Sequence, residues 1–77
     1  MSVTDQQVDA TGLRCPEPVM MLHAAIRRVE AGDIIQLTAT DPSTQRDVAH
    51  FCEFLGHSLL ETSARDGQFV YRVKKAG

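Results

Sequence analysis

The segment "AGDIIQLTATDPSTQRD", residues 31–47, contains the features that decide the fold of this chain of 77 residues. Within it, "DIIQLTA" (residues 33–39) is β-branched and mostly apolar, which predicts a short strand buried on both faces. The following "DPSTQRD" predicts a helix that has Asp41 as its N-cap and Pro42 in its first helical position. An apolar strand that leads directly into a helix indicates a fold in which strands and helices alternate.

A helix is predicted on each side of this strand. From Pro16 onward, apolar residues recur at steps of three and four, and Gly32 ends the pattern, as a glycine at a helix C-terminus does. The apolar stripe of this first helix contains Val19, Leu22, Ile26 and Val29. In the second helix, which ends at Gly56, the stripe contains Val48, Phe51, Cys52 and Leu55. Each helix therefore has one apolar face to bury.

Three further strands complete the pattern. Residues 7–10, "QVDA", predict a first strand, and residues 57–64 and 68–74 predict two more. The last two are joined by "RDG", whose Asp66-Gly67 pair is a strong hairpin signal. The order β-α-β-α-β-β predicts an α/β (α+β) two-layer sandwich, with a four-stranded mixed sheet covered on one face by two helices. We expect residues 1–77 to form a single domain.

Composition narrows the class of protein. The net charge is −2 and the pI is near 5.8, which argues against a module that binds duplex nucleic acid through basic residues. The N-terminus lacks the pattern of a signal peptide and no apolar run could span a membrane, so we expect a soluble, cytoplasmic protein without membrane contact. The two cysteines, 37 residues apart and without a CxxC motif, are expected to be free thiols, and no metal site is predicted.

Cys15 lies in "GLRCPEP", residues 12–18, at the start of the first helix. Pro16 and Pro18 are tolerated there because the first helical turn leaves its backbone N–H groups without intrahelical partners. The positive end of the helix dipole and Arg14 both favour the thiolate, which predicts a pKa lowered from about 8.5 to about 7–8.

Two features limit this effect on the Cys15 thiol. Only the N–H groups of Glu17 and Val19 remain to face the sulfur, and Glu17 adds a negative charge. No histidine is predicted beside the sulfur, as a cysteine hydrolase would require. An exposed, moderately activated thiol without a fitted pocket suits a group that one protein loads and another unloads.

The segment "VDATGLRCPEPVMML", residues 8–22, resembles the signature of the TusA (SirA-like) sulfur carriers, which have Cys-Pro-x-Pro at the start of the first helix. The motif is supported here by Asp9 and Gly12 upstream, and "DPSTQRDVAHFCEFLGHSL", residues 41–59, is similar to the second-helix segment of the same family. The resemblance covers nearly the whole chain. It implies a sandwich like the C-terminal domain of translation initiation factor three, with the last strand inserted beside the second.

The resemblance also implies a function. Cys15 would accept a persulfide sulfur from a cysteine desulfurase and pass it to a sulfur-relay complex (TusBCD-like or DsrE-like) that serves 2-thiouridine formation at the tRNA wobble position. The protein would act as a carrier rather than an enzyme, without direct nucleic-acid contact and with no cofactor except the transient persulfide. The residues that support the motif would be Asp9, Gly12, Arg14, Pro16, Glu17 and Pro18. The predicted partner-binding residues are Met20, Arg27, Asp41 and Phe54.

Several residues have a structural interpretation beside the functional one. Cys52 shares the apolar stripe of the second helix and is interpreted as a buried structural thiol. Asp9 is expected to brace the Gly12 turn rather than to act chemically. Of Met20 and Met21, one is expected in the core and the other at a docking surface. Phe54 is either an exposed docking aromatic or a cover for the helix edge.

Other functions remain open at this stage. A TusA-like carrier could serve another acceptor, in molybdenum cofactor assembly, sulfur oxidation or selenium metabolism. Alternatively, Cys15 could be the thiol of a redox sensor, which a disulfide to Cys52 would support. An RNA-binding module is suggested by fold analogy with a translation factor, but the chain lacks a basic surface and an aromatic stacking platform.

Overall fold

The structure, a computed structural model, describes residues 5–76 and has the predicted element order. Its elements are β1 (Asp5–Ala10), α1 (Glu17–Ile26), β2 (Ile34–Ala39), α2 (Thr44–Leu55), β3 (Ser58–Arg65) and β4 (Gln68–Lys74). The four strands form one sheet, and the two helices cover one of its faces. The predicted fold class is therefore confirmed.

The sheet has the strand order β1-β2-β4-β3. Strands β1 and β2 are parallel, while β4 is antiparallel to both β2 and β3. The last strand is thus inserted beside the second, as the family resemblance implied. The predicted hairpin between β3 and β4 is also confirmed, because Asp66 (φ 53°) and Gly67 (φ 78°) are both left-handed, as a type I′ turn requires.

The core lies between the sheet and the helices, and it corrects the prediction that β2 is buried on both faces. Burial alternates along this strand: Ile35, Leu37 and Ala39 are buried, whereas the residues between them are half-buried. The alternation arises because both helices lie on the same face of the sheet. These strand residues form one hydrophobic cluster with Leu22, Ile26, Val29, Val48, Phe51, Cys52, Tyr71 and Val73.

The helix boundaries differ from the prediction at two places. Helix α1 ends at Ile26, six residues before Gly32, and the buried Val29 belongs to the following loop. Helix α2 begins at Thr44 with Ser43 as its N-cap, so Asp41 is not the N-cap that the pattern predicted. Asp41 instead closes the turn before the helix, where its Oδ1 accepts the Ser43 N–H at 3.0 Å. Gly56 ends α2 as predicted, with a φ of 78°.

His57, directly after α2, should make the stability of the fold depend on pH. Its Nδ1 accepts the Ala76 N–H at 2.9 Å, and burial, followed by the positive charges of Lys75 and His23, lowers its pKa below the ordinary 6.5. The unfolded chain therefore binds a proton more readily than the folded one. We expect the free energy of unfolding to be highest above pH 6.5 and to fall as the pH decreases below that value.

Urea unfolding followed by circular dichroism, between pH about 7.5 and about 5.5, measures this dependence. His57→Gln should flatten it, because glutamine does not titrate. His50→Gln, at an exposed position of α2, is the matched control and should keep it. If the free energy of unfolding of His57→Gln changed with pH as much as that of wild type, the pH dependence would come from other groups.

Candidate functional site

The sulfur of Cys15 is presented at the start of α1, as predicted. Cys15 is exposed and immediately precedes Pro16, which is the N-cap of the helix. Pro18, in the first turn, is buried and anchors this end of the helix against the core. The prolines therefore hold the cysteine outside the helix, with its side chain accessible to another molecule.

Asp41, in the turn before α2, fixes the backbone of Cys15. The Cys15 N–H donates to Asp41 Oδ2 at 2.7 Å, while Oδ1 accepts the Ser43 N–H. These two hydrogen bonds lower the pKa of the Asp41 carboxyl, and the bond from the Cys15 N–H contributes most. The predicted partner binding of Asp41 stays a prediction, and both of its carboxylate oxygens accept hydrogen bonds within the chain. It acts here as a positioning residue for the cysteine loop.

A chain of hydrogen bonds connects this anchor to the sheet. Thr44 Oγ1 donates to the Asp41 carbonyl at 2.7 Å and lies 2.7 Å from the Tyr71 hydroxyl. Since the single proton of Thr44 is used toward Asp41, Tyr71 is the donor in the second bond. Thr44 and Tyr71 are both buried. This pair was not predicted, because a threonine in a helix and a tyrosine in a strand have no sequence spacing that relates them.

A braced turn precedes the cysteine. Asp9 Oδ1 accepts the Thr11 N–H at 3.0 Å and the Thr11 hydroxyl at 2.7 Å, and these bonds lower the pKa of Asp9. The Gly12 N–H donates to Thr40 Oγ1 at 2.8 Å, which joins the turn to the end of β2. The predicted bracing role of Asp9 is confirmed. Thr40 is a further supporting residue that sequence analysis did not identify.

The electrostatic environment of the Cys15 thiol corrects the prediction of a lowered pKa. The neighbouring Asp47 carboxylate, as a hydrogen-bond acceptor for the thiol, raises the pKa above its ordinary value. Partial burial and the charges of Asp47 and Asp41 act in the same direction, whereas the Ser43 hydroxyl opposes them. Asp47 lies on the second helix, and Asp41 and Ser43 directly precede it, so their position beside Cys15 could not be predicted from the local sequence.

One backbone donor that was expected to face the sulfur is engaged elsewhere. The Glu17 N–H donates to the Arg14 carbonyl at 2.8 Å, so it does not contribute to a thiolate site. The Arg14 side chain acts on the Asp41 carboxyl, whose pKa it helps to lower. The Glu17 N–H and the Arg14 side chain, both expected to act on Cys15, thus interact with other groups.

An open groove between α1 and α2 begins at Cys15, contrary to the prediction of a thiol without a pocket. Its volume is about 400 Å³. The residues that line it are Cys15, Pro16, Val19, Asp47, His50, Phe51 and Phe54. His50 was not expected near the cysteine, and the docking of the two helices on one face of the sheet places it there. Most of the lining is apolar, with Asp47 and His50 as its charged or titratable side chains apart from the thiol.

The predicted surface residues fall into two groups. Phe54 is 88% exposed and lines the groove, so it is an exposed aromatic rather than a cover for the helix edge. Met20 is 61% exposed, whereas Met21 is half-buried against the core, which confirms the expected division between the two methionines. Arg27, the C-cap of α1, is exposed and does not line the groove. Partner binding by these residues stays a prediction.

The second cysteine is buried, as predicted. Cys52 is only 3% exposed within α2, and burial raises the pKa of its thiol. Within residues 5–76, no cluster of three histidine, cysteine, aspartate or glutamate side chains is arranged to hold a metal ion. No helix in this part of the chain is long and apolar enough to cross a membrane.

The sequence and fold match known proteins. A sequence-family model described as Sulfurtransferase TusA matches residues 6–75. A "Sulfur carrier protein TusA" of Pseudomonas putida (strain GB-1) is 54% identical over 71 residues, which cover 92% of this chain and 89% of the relative. The protein of the same name from Pseudomonas entomophila (strain L48) is 51% identical over 73 residues, covering 95% and 91%.

A solved structure agrees with the architecture described above. The crystal structure of the SirA-like protein from Desulfitobacterium hafniense has a TM-score of 0.81 to this chain at 22% sequence identity. The match covers 92% of this chain and 97% of that one, so it establishes that the fold is shared. With the family signature around an exposed Cys15 and relatives that match over nine-tenths of its length, this chain belongs to the TusA family.

Proposed function

We propose that this chain is a sulfur carrier, in which Cys15 receives a sulfur atom as a persulfide from a cysteine desulfurase and passes it to an acceptor protein. The observation that carries the proposal is the exposed Cys15 thiol, held by the Asp41 carboxylate at one end of an open groove. Exposure lets a partner reach the sulfur, and the anchored backbone keeps the sulfur in one place. The name of the relatives, sulfur carrier protein, supports the same proposal.

The loading step is a thiol exchange without net oxidation. The Cys15 thiolate attacks the terminal sulfur of the persulfide on the desulfurase cysteine and forms a new S–S bond. The S–S bond of the donor breaks, and its electron pair leaves with the donor cysteine as a thiolate. Cys15 gives up its thiol proton to solvent, from which the departing thiolate can take one back. Unloading repeats the exchange with a thiolate of the acceptor.

For the acceptor, we propose a sulfur-relay complex (TusBCD-like or DsrE-like) in the cytoplasm that supplies 2-thiouridine formation at the tRNA wobble position. The acidic pI supports transfer through proteins rather than direct contact of this chain with tRNA. The chain would need no bound cofactor, because the persulfide on Cys15 is itself the transferred group. Carriage to molybdenum cofactor assembly, sulfur oxidation or selenium metabolism would use the same chemistry with a different acceptor.

The redox-sensor alternative receives no support from the arrangement of the cysteines. Cys15 is exposed, whereas Cys52 is buried in the core. A disulfide between them would require Cys52 to leave the core or the cysteine loop to enter it. A sensor that relied on this pair would therefore have to disrupt its own hydrophobic core.

Intact-mass spectrometry after incubation with a cysteine desulfurase and cysteine tests the proposal. We expect a gain of one sulfur atom, reversed by a thiol reductant, and located by peptide mapping on the peptide that contains residue 15. Incubation without the desulfurase is the control and should leave the mass unchanged. No sulfur gain from any cysteine desulfurase tried would reject the carrier function.

A further inference from the structure

Negative charge is concentrated at the sulfur end of the groove between α1 and α2. Asp47 lines the groove together with Cys15, and Asp41 binds the Cys15 backbone from the same side. The rest of the lining is mainly apolar and aromatic, and it includes the highly exposed Phe54. The groove thus combines a carboxylate beside the thiol with a hydrophobic surface that extends away from it.

The basic side chains near the site do not neutralise Asp47. Arg46 Nε is 3.6 Å from Asp47 Oδ1, and the Arg46 side chain is 72% exposed, so this contact is weak. Arg14, which precedes the cysteine, acts on Asp41. His50 lines the groove but makes no hydrogen bond to the thiol in the part of the chain that the structure describes. The carboxylates therefore keep the pKa of the Cys15 thiol above its ordinary value, and at neutral pH the resting thiol is mainly protonated.

A protonated thiol does not attack a persulfide, because the thiolate is the nucleophile. If this chain is the sulfur carrier proposed above, on which the inference rests, the charge that activates Cys15 must come from outside the chain. We propose that the loading partner places an arginine or lysine side chain against Asp47, that an apolar side chain of the same partner fills the groove, and that this cation converts Cys15 to the attacking thiolate.

Docking makes the cation effective. When the partner covers the groove, water leaves the site, and the attraction between the cation and the Asp47 carboxylate strengthens as the local dielectric constant falls. As the cation approaches, before the site closes to water, the Cys15 proton passes to solvent, and the cation offsets the charge that remains on the sulfur.

The first test measures the thiol of the free protein. Alkylation of Cys15 by iodoacetamide at neutral pH, followed by mass spectrometry, reports the thiolate fraction. We expect Asp47→Asn to react about three- to ten-fold faster than wild type, because a like charge beside the thiol is removed. Asp47→Glu, which keeps the charge, should react like wild type, and so should Glu53→Gln, which removes an exposed carboxylate outside the groove on the same helix.

The second test measures single-turnover loading by a persulfide-charged cysteine desulfurase at low and high salt. We expect Asp47→Asn to load several-fold more slowly than wild type at low salt, although its free thiol is more reactive. The wild-type rate should fall with added salt, which screens the ion pair, and the rate of Asp47→Asn should change less. Asp47→Asn is thus expected to speed alkylation and to slow loading. If Asp47 only disfavoured the thiolate and did not bind the partner, the substitution would speed both reactions.

Each outcome decides between the alternatives. If Asp47→Asn loads as fast as wild type, or retains the full salt dependence, the cationic partner is rejected while the carrier function stands. If wild type gains no sulfur, the carrier function itself fails, and the alkylation assay still reports the charge at the thiol. Far-ultraviolet circular dichroism verifies folding, and Asp47→Ser serves as a second neutral variant.

Discussion

Cys15→Ser is expected to abolish sulfur loading completely. A serine hydroxyl has nearly the shape of the thiol but cannot form the persulfide, so no sulfur gain should appear in the intact mass. Because Cys15 is exposed and its hydrogen bond to Asp41 uses the backbone N–H, the fold should be unaffected. The midpoint of thermal unfolding should therefore match that of wild type, which separates lost chemistry from lost structure.

Cys52→Ser is the matched control, because it changes the same atom in the core. Cys52 is buried in α2, and a hydroxyl placed there without a hydrogen-bond partner should lower the free energy of unfolding by about 1–3 kcal/mol. Loading should persist in this variant under conditions in which it is folded. If the Cys15→Ser variant formed a persulfide, Cys15 would not be the acceptor. The same would follow if the folded Cys52→Ser variant formed none.

Asp41→Asn is expected to reduce the rate of sulfur loading by about ten-fold or more, because hydrogen bonds to a charged acceptor are among the strong ones and this carboxylate makes two. The amide that replaces it has one acceptor oxygen, so either the Cys15 or the Ser43 N–H loses its partner. The cysteine loop should then sample other positions. Single-turnover loading by a persulfide-charged desulfurase measures the loss.

Hydrogen exchange at the Cys15 amide gives the positional readout for the same variant. This amide is bonded to Asp41 and should exchange faster in Asp41→Asn. Alkylation by iodoacetamide should not slow, because removal of the Asp41 charge favours the thiolate. Asp33→Asn is a control with similar chemistry, since Asp33 Oδ2 accepts the Glu30 N–H in a loop beyond the far end of α1. If hydrogen exchange at the Cys15 amide were unchanged in Asp41→Asn, Asp41 would not position the cysteine loop.

Local patterns were sufficient for most of the fold. The Asp66-Gly67 hairpin, the end of α2 at Gly56 and the bounds of β4 agree with the prediction, because each depends on a few adjacent residues. The C-terminal boundary of α1 could not be predicted from the local pattern. Val29 is buried at helical spacing although the helix has already ended at Ile26, so a burial pattern alone could not distinguish helix from loop.

The candidate site was predicted only in part for the same reason. The Cys-Pro-x-Pro motif identified the exposed sulfur and its place before α1, since the conformational limits of proline are properties of the local chain. The groove, its histidine and the raised pKa of the thiol come from residues of α2, about 30 positions away in the sequence. Asp41 illustrates the difference, because its local pattern predicted a helix cap while its side chain binds the Cys15 backbone.

The sequence by itself thus determined the element order, the mixed sheet beneath two amphipathic helices, and an exposed cysteine presented by two prolines. These follow from periodicity and backbone stereochemistry, which act over a few residues. Only the tertiary structure decided the electrostatic environment of that cysteine and the surface beside it. Electrostatic and packing forces depend on distance in space, and the packing of α1 and α2 on the same face of the sheet brings Asp47 to Cys15.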